Sequence, residues 1–321
     1  MNETDLLLEP LLAELDLDVS GRRVTAIGGG HGLAVALRGI LDYADIITAI
    51  VGVSDDGGSS GRLAPALAIP PMGDIRRALL ALSPDHSLWR RLMEYRFGDG
   101  GADVGGHSLG NLLIAALTEM SGSFEDALNT AGRMLGARGA VVPAAVEPLT
   151  LEAEVDGVKV RGQVAIATGR GEITAIRVLP ETATAARTAL AAIASADEIV
   201  LGPGSLFTSV IAGLRVPGIA DGVNSAAARL VYVCNLTTQD GETLGMDGTA
   251  HVAALTGIGG IRTPDVIVAH TGPLEVPPGL TRVDVPAGEP GTVVVADLAD
   301  PTAEWPAHDP ARLGEVLRRL A

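Results

Sequence analysis

The sequence predicts an α/β fold: a Rossmann-like, doubly wound, mostly parallel sheet with an antiparallel β insertion. Short β-type runs alternate with helical segments along most of the chain, which is typical of a parallel sheet covered by helices. Glycine-rich loops directly follow three of the predicted strands. Between about residues 141 and 179 the hydrophobic period changes to two, which indicates antiparallel strands.

The elements can be justified in chain order. Apolar, β-branched runs predict parallel strands, and periodic or Ala-rich segments between them predict helices. Ser123 with Asp126 three residues later predicts a helix start. Asp156-Gly157 between two alternating runs predicts a type I′ hairpin turn. The predicted parallel strands are 23–27, 46–53, 198–201, 230–234, 266–268 and 291–295, the insertion strands are 149–155, 158–166 and 172–179, and the predicted helices are 33–41, one ending near 82, 88–95, 109–120, 124–135, 182–194, 206–214, one starting at 249, and 312–320.

Composition excludes several classes of protein. The 321 residues carry a net charge of −16 and only 2% aromatic residues, which argues against nucleic-acid binding. Residues 1–20 form an acidic, Leu-rich extension without the basic start of a signal peptide, and no stretch is long enough for a membrane span, so we expect a cytoplasmic protein. Residues 21–321 are expected to form one domain. Cys234 is the only cysteine, which leaves no disulfide framework and no cysteine-rich zinc site.

The most informative loop is residues 55–62, Asp-Asp-Gly-Gly-Ser-Ser-Gly-Arg, directly after a predicted buried strand. Its glycines let backbone N–H groups approach a ligand, and its hydroxyls and Arg62 add donors for phosphate oxygens. Loops 28–32 and 202–205 likewise join a strand to a helix start, which favours anion binding. Ligands of open α/β sheets bind at the carboxyl ends of strands. The sequence therefore predicts a nucleotide or sugar-phosphate site.

Three familiar motifs fail on inspection. The glycines of loop 28–32 do not meet the Gly-x-Gly-x-x-Gly spacing of a dinucleotide site. Lys159, the only lysine, lies in a strand pattern, so a P-loop is excluded. Gly106-His107-Ser108-Leu109-Gly110 matches a nucleophile elbow, but no strand precedes it, so Ser108 is predicted to cap a helix or bind a ligand there.

Some residues leave alternatives open. Asp55 and Asp56 could hold Mg²⁺ through a nucleotide, hold a ribose hydroxyl, or orient their own loop. The amides of Asn235 and Gln239 follow a strand, where they could contact a base or sugar or form a plain turn. The histidines show no metal-ligand spacing, and for His251 a structural hydrogen bond is the preferred interpretation.

Six ordered motifs resemble the YvcK family of gluconeogenesis factors, relatives of the 2-phospho-L-lactate transferase CofD. The resemblance covers about residues 23–270. Its motifs are Gly28-Gly29-Gly30-x-Gly32, residues 55–62, Gly73-Asp74-Ile75-Arg76, residues 106–111, residues 202–205 and Asn235-x-x-Thr238-Gln239. His31 stands where the family more commonly has Thr.

The resemblance implies a CofD-like fold and a cytoplasmic protein that binds a UDP-sugar such as UDP-N-acetylglucosamine. It also implies a role in cell shape and peptidoglycan precursor supply during gluconeogenic growth. The expected nucleotide-sugar-binding residues are Gly29, Gly30, His31, Gly32, Asp55, Asp56, Gly57, Gly58, Ser59, Ser60, Arg62, Gly73, Asp74, Arg76, His107, Ser108, Asn111, Gly202, Gly204, Ser205, Asn235, Thr238 and Gln239.

Two functions therefore compete. The first is a UDP-sugar-binding regulator that requires no cofactor, and the second is a CofD-type, Mg²⁺-dependent transferase or a nucleotidyl-sugar enzyme. A regulator of this kind would contact amino-sugar or cell-wall precursor enzymes, and self-association is left open. No residue is predicted to be catalytic. We expect Arg62 and Arg76 to contact the ligand phosphates.

Overall fold

The structure is a computed structural model that describes residues 21–98, 104–286 and 291–321. The predicted acidic extension, residues 1–20, lies outside the described residues.

The central sheet has seven parallel strands, which are β1 (Arg23–Gly28), β2 (Ile46–Val51), β3 (Ala140–Pro143), β7 (Glu198–Leu201), β8 (Arg229–Val233), β9 (Val266–His270) and β10 (Thr292–Ala296). They lie in the order β10-β9-β8-β7-β1-β2-β3. From β1 the chain proceeds outward to β3, and from β7 it proceeds outward on the other side to β10. The strand order therefore reverses between β1 and β7, and loops at such a point form the ligand crevice of doubly wound folds.

Helices cover this sheet, and most begin within a few residues of the predicted positions. The helix predicted from residue 182 begins at Arg187 instead, and the segment Leu206–Ile211 is π-helical before it continues as an α-helix. The helices are α1 (Gly30–Ile40), α2 (Gly58–Leu67), α3 (Gly73–Ala81), α4 (Leu88–Glu94), α5 (Leu109–Ser121), α6 (Phe124–Leu135), α7 (Gln163–Thr168), α8 (Arg187–Ser195), α9 (Leu206–Leu214), α10 (Ile219–Ser225), α11 (Gly248–Gly257) and α12 (Pro310–Leu320).

The core is continuous through the central strands. In β7 all four residues are buried, including Glu198, whose carboxylate accepts hydrogen bonds from Tyr43 Oη at 2.6 Å and Arg22 at 3.0 Å. Burial on both faces explains why these strands read as continuous apolar runs. Helices α1 and α12 pack closely at Gly39 and Gly314. A Cβ at Gly39 would lie only 2.9 Å from the Cα of Gly314.

A separate three-stranded antiparallel sheet has the order β5-β4-β6, with β4 (Thr150–Val155), β5 (Val158–Arg161) and β6 (Ile173–Leu179). The predicted type I′ turn is confirmed, because Asp156 and Gly157 have φ values of 49° and 76°. The antiparallel sheet begins at Thr150 rather than near residue 141. Strand β3 pairs in parallel with β2 instead, since helices α2 to α6 carry the chain across to the edge of the main sheet.

The strand predicted over 158–166 is wrong after Arg161. Gly162 has a φ of 97°, which turns the chain, and helix α7 follows. The carboxylate of Asp56 accepts a hydrogen bond from the backbone N–H of Val164 at 2.9 Å, so a distant side chain stabilises the first turn of this helix.

No single helix of the described residues is long and apolar enough to cross a membrane. Helices α9 and α10 meet that test only as a pair, and they are bent by 73° relative to each other.

Candidate ligand-binding cleft

A cavity of about 440 Å³, here called the polar cavity, lies at the carboxyl ends of β1 and β2. It brings together most of the predicted residues of the first half of the chain. Arg77, Arg96, Gln163 and Ser209 also line it and were not predicted. The lining residues are Gly29, Gly30, His31, Gly32, Asp55, Gly57, Gly58, Ser59, Ser60, Gly73, Asp74, Arg76, Arg77, Arg96, Asn111, Gln163, Gly204, Ser205, Ser209 and Gln239.

The N-terminus of helix α1 points at a carboxylate. Gly30 has a φ of 64°, and its N–H donates a hydrogen bond to Asp74 Oδ2 at 2.8 Å. The other oxygen of Asp74 accepts a hydrogen bond from Arg77. A negative group therefore already occupies the position where a helix dipole favours an anion.

Asp55 and Asp56 diverge. Asp55 lines the polar cavity, and its Oδ1 accepts a hydrogen bond from the N–H of Gly57 at 3.0 Å. Burial, with a contribution from the nearby Asp74 carboxylate, raises the pKa of Asp55. Asp56 bonds to Val164 of the insertion and does not line the cavity. The two side chains therefore have different roles.

A chain of hydrogen bonds among buried side chains forms part of the wall of the polar cavity. Ser59 Oγ lies 3.0 Å from His107 Nδ1 and accepts from Asn111 Nδ2 at 3.1 Å. Arg76 Nε donates to Asn111 Oδ1 at 3.1 Å and its Nη1 donates to the carbonyl of Met93 at 3.2 Å. Burial, with nearby arginines, lowers the pKa of Arg76 to about 10 and also lowers the pKa of His107.

Ser108 caps helix α5, which is one of the two roles predicted for it. Its Oγ accepts a hydrogen bond from the N–H of Asn111 at 3.2 Å, and no strand leads into it. It is buried and does not line the cavity. The backbone gives no strained elbow that would present Ser108 as a nucleophile.

Arg62 faces away from the cavity. It is exposed, and its Nη2 donates to the carbonyl of Gly105 at 2.9 Å. Arg62 was expected to contact a ligand phosphate, but it does not line the polar cavity, so we now expect that contact from Arg77 and Arg96, which do.

A second cavity, here called the wide cavity, has a volume of about 830 Å³ and adjoins the first. His31, Gly32, Gly204 and Gln239 line both cavities, so the two form one cleft. Burial, and next the charge of Arg77, lowers the pKa of His31. The other residues of the wide cavity are Val35, Arg170, Pro203, Asn235, Leu236, Thr237, Thr238, Asp240, Leu244, Pro278, Gly279, Leu280, Trp305, Pro306, Ala307 and His308.

Neutral hydrogen bonds fix the loops of the wide cavity. Asn235 accepts from the N–H of Gly204 at 2.9 Å and donates to its carbonyl at 2.8 Å. Gln239 Nε2 donates to Ser205 Oγ at 3.3 Å. Thr238 is buried, and its Oγ1 accepts from the N–H of Thr281 at 2.9 Å. Gly202, with a φ of 71°, shapes this loop without lining either cavity.

A buried carboxylate closes the start of helix α9. Glu242 accepts from the N–H groups of Phe207 at 3.0 Å and Thr208 at 3.2 Å. Burial raises the pKa of Glu242. The amides that the sequence offers to an external anion after loop 202–205 are thus satisfied internally.

Comparisons with known proteins agree with this architecture. A family model described as "2-phospho-L-lactate transferase CofD" matches residues 24–288. A gluconeogenesis factor from Halalkalibacterium halodurans is 42% identical over 254 residues, which are 79% of each chain. A gluconeogenesis factor from Bacillus subtilis is 43% identical over 250 residues, or 78% of each chain. The chain belongs to the CofD family.

The fold of this CofD-family chain also matches a solved structure. A crystal structure of a member of the UPF0052 family from Bacillus halodurans superposes with a TM-score of 0.87 at 36% identity, covering 94% of this chain and 99% of that one. The prediction of a CofD-like α/β fold is therefore confirmed, as is the resemblance on which it partly rested.

The cleft of this CofD-family chain has hydrogen-bond donors for an anion, but its described residues include no group of three metal-ligating side chains. Among residues 21–98, 104–286 and 291–321, no three His, Cys, Asp or Glu side chains are grouped to hold a metal ion. Asp55 and Asp74 are the carboxylates of the polar cavity, so Mg²⁺ would need oxygens from a ligand as well. Mg²⁺ stays a prediction.

Proposed function

We propose that this chain is a cytoplasmic regulatory protein that binds a UDP-sugar of the UDP-N-acetylglucosamine type. One observation carries the proposal: a small cavity lined by several carboxylates and arginines meets a wider, more apolar cavity at His31 and Gly204, and the charged pair of the wider cavity, Arg170 and Asp240, form an exposed ion pair with each other. A nucleotide-sugar has the same division, with a charged diphosphate joined to neutral ring systems. The relatives named gluconeogenesis factors support a role in gluconeogenic growth. Envelope precursor supply during that growth is part of the proposal.

The polar cavity suits the diphosphate. Arg77 and Arg96 supply positive charge at its lining, and Gly57 and Gly58 allow a ligand to approach the backbone. Arg76 lies deeper, where its hydrogen bonds to Asn111 and Met93 position the surrounding loops. The Asp74 carboxylate would leave the Gly30 amide when a phosphate oxygen takes its place.

The wide cavity suits the uracil, ribose and sugar. Its volume of about 830 Å³ lies within the roughly 300–1,000 Å³ of small-molecule sites. Trp305, which is 61% exposed, offers an indole face, and Asn235 and Gln239 offer amide groups at the junction with the polar cavity. Contact with amino-sugar or cell-wall precursor enzymes is part of the proposal, as a regulator needs a target.

Titration calorimetry with UDP-N-acetylglucosamine, UDP-glucose, UDP, ATP and GTP tests the proposal. We expect UDP-sugars to bind most tightly. Removal of Mg²⁺ with EDTA should weaken binding by less than about tenfold, or roughly 1.4 kcal/mol, because arginine side chains and backbone N–H groups would bind the phosphates without a metal ion. No heat with any UDP-sugar would refute the proposal.

A CofD-type transferase is the second candidate. The observation that favours it is the placement of Asp55 and Asp74 in the same cavity, where they could hold Mg²⁺ on a phosphate. In that case binding depends strictly on Mg²⁺, and the protein turns over a UDP-sugar or a phospholactyl donor. Asp55→Asn should then abolish turnover while the protein still folds.

A further inference from the structure

The wide cavity contains a histidine whose two ring nitrogens differ. His308 is 8% exposed and lines the wide cavity. Its Nε2 lies 3.1 Å from the backbone carbonyl oxygen of Cys234. A carbonyl oxygen can only accept a hydrogen bond, so Nε2 carries the proton and Nδ1 of the neutral ring carries a lone pair. Among the residues that the structure describes, none donates a hydrogen bond to Nδ1.

This second nitrogen is an acceptor at neutral pH. Burial, with a smaller contribution from the nearby His270, lowers the pKa of His308 to about 4. The imidazole therefore stays neutral near pH 7, and Nδ1 does not become a donor. When a ligand excludes water from the cavity, an acceptor without a partner costs free energy. A ligand that places an N–H group at Nδ1 avoids that cost.

Other polar side chains of the wide cavity have partners within the protein. Arg170 and Asp240 form an ion pair with each other at 3.0 Å. The amide of Asn235 binds both the N–H and the carbonyl of Gly204. His308 differs from them because it presents an unpaired acceptor and no donor. A ligand group that can only accept hydrogen bonds would therefore leave two lone pairs facing each other at this position.

Trp305 brings a base close to this acceptor. Trp305 and His308 are three residues apart, a span of at most about 11 Å, and both line the wide cavity. Under the proposed function, a base stacks on the exposed indole face of Trp305. A stacked base directs its hydrogen-bonding edge sideways, within the plane of its own ring. That edge of uracil has two carbonyl acceptors and a single donor, the N3–H group.

We infer that His308 recognises the uracil ring, with Nδ1 accepting a hydrogen bond from the N3–H group of the bound uridine nucleotide. This contact rests on the proposed function, because it concerns the same ligand in the same cleft. Cytosine carries a lone pair at N3, so a cytidine nucleotide of equal charge would oppose that lone pair to the one on Nδ1. His308 is therefore a residue that determines specificity for uridine over cytidine.

Titration calorimetry of the full chain at pH 7 with UDP, CDP, N3-methyl-UDP and 5-methyl-UDP tests the inference. We expect CDP and N3-methyl-UDP to bind about 10- to 100-fold more weakly than UDP, the scale of a buried hydrogen bond lost with its partner left unsatisfied. The control ligand 5-methyl-UDP carries the same methyl group at another position and keeps N3–H. Its affinity should stay within about fivefold of that of UDP, the scale of one methyl group.

A variant assigns the discrimination to one side chain. His308→Leu removes the acceptor, so its affinities for UDP and N3-methyl-UDP should lie within about fivefold of each other. The control His86→Leu changes an exposed histidine that lines neither cavity and should keep the full discrimination. Full discrimination in His308→Leu would overturn the inference.

Nitrogen-15 NMR of labelled histidines gives a readout that does not depend on the stability of the leucine variant. The Nδ1 resonance of His308, assigned by its absence in His308→Gln, should move upfield when UDP binds, as an acceptor nitrogen does on receiving a hydrogen bond. N3-methyl-UDP should leave it in place. An unmoved resonance, or equal affinities for UDP and N3-methyl-UDP, or equal losses with the two methylated ligands, would overturn the inference while the proposed function stands. If no uridine nucleotide binds, both fail together.

Discussion

The two halves of the cleft differ in how their polar groups are satisfied. In the polar cavity, Asp55, Asp74, Arg77 and Arg96 are ionisable and face the open space. In the wide cavity, Asn235 and Gln239 are neutral and bond to the neighbouring loop 202–205. The first half can therefore exchange internal partners for a charged ligand, whereas the second half holds its shape by bonds that a ligand need not break.

The same contrast separates two helix N-termini. Asp74 binds the first amide of α1 from a position in the polar cavity, and Glu242 binds two amides of α9 from the buried interior. An anion that enters the cavity can displace the Asp74 carboxylate from the α1 amide. An anion cannot reach the buried Glu242 carboxylate to displace it from the α9 amides. We therefore expect an external anion at the start of α1 rather than at the start of α9.

The largest expected effect concerns the stability of the wide-cavity half. His251 lies 2.9 Å from Tyr232 Oη, and His308 Nε2 lies 3.1 Å from the carbonyl oxygen of Cys234. Burial lowers the pKa of each imidazole to about 4, from 6.5. The unfolded chain takes up protons below about pH 6.5 that the folded chain refuses, so stability is complete above that pH and is lost as the pH falls toward 4.

As the pH falls from about 6.5 to about 4, each of these two histidines should lower the free energy of unfolding by about 3 kcal/mol. Urea unfolding at pH 7, 5.5 and 4.5 measures it. His308→Gln, which keeps a donor for the Cys234 carbonyl, should reduce the loss on acidification, whereas the exposed control His86→Gln should not. If His308→Gln and the unchanged protein lose stability in parallel, the buried imidazole is not the cause.

The next largest expected effect concerns ligand binding in the polar cavity. Arg77→Ala should weaken binding of UDP-N-acetylglucosamine by about 10- to 100-fold, the scale of a lost charge-assisted hydrogen bond, and it also leaves Asp74 unpaired in the cavity. Arg62→Ala removes an equal charge outside the cavity and should change affinity less than about threefold. Calorimetry measures both. Equal losses would mean that the ligand extends to loop 55–62 on its outer side.

The smallest expected effect concerns ligand binding in the wide cavity. Trp305→Ala should weaken binding by about 1–2 kcal/mol if a base stacks on the indole. Trp89→Ala changes the only other tryptophan, which is on helix α4 and 43% exposed, and should leave affinity unchanged. A Trp305 variant with full affinity would place the base elsewhere in the wide cavity.

The sequence predicted the parts of the cleft that depend on short-range pattern. Segments 28–32, 55–62 and 202–205 carry their glycines after buried strands, so their place at one edge follows from the parallel topology. The first two were predicted as loops, but residues 30–32 and 58–62 already belong to helices α1 and α2. The caps at Ser108 and Ser123 also follow from local spacing, and both are confirmed.

The remainder depends on long-range contacts. Arg96 and Gln163 reach the polar cavity from a loop and from the insertion, and no local pattern marks either residue. Helix α7 reads as a strand because Val164 and Ile166 continue an alternating run, and only Gly162 and the distant Asp56 end it. Arg62 and Arg76 have similar sequence surroundings, yet one is exposed and the other is buried.

Gly32 lies at a close backbone contact between the two sides of the cleft. A Cβ at this position would lie 2.1 Å from the carbonyl oxygen of Pro203, so the first turn of helix α1 and the loop after β7 touch backbone to backbone. The separation between the polar and wide cavities is therefore fixed by main-chain contact rather than by any side chain. If the cleft binds a nucleotide-sugar as proposed, side-chain replacement on either side should alter what is recognised at each end, while the backbone contact should keep the length of the recognised molecule the same.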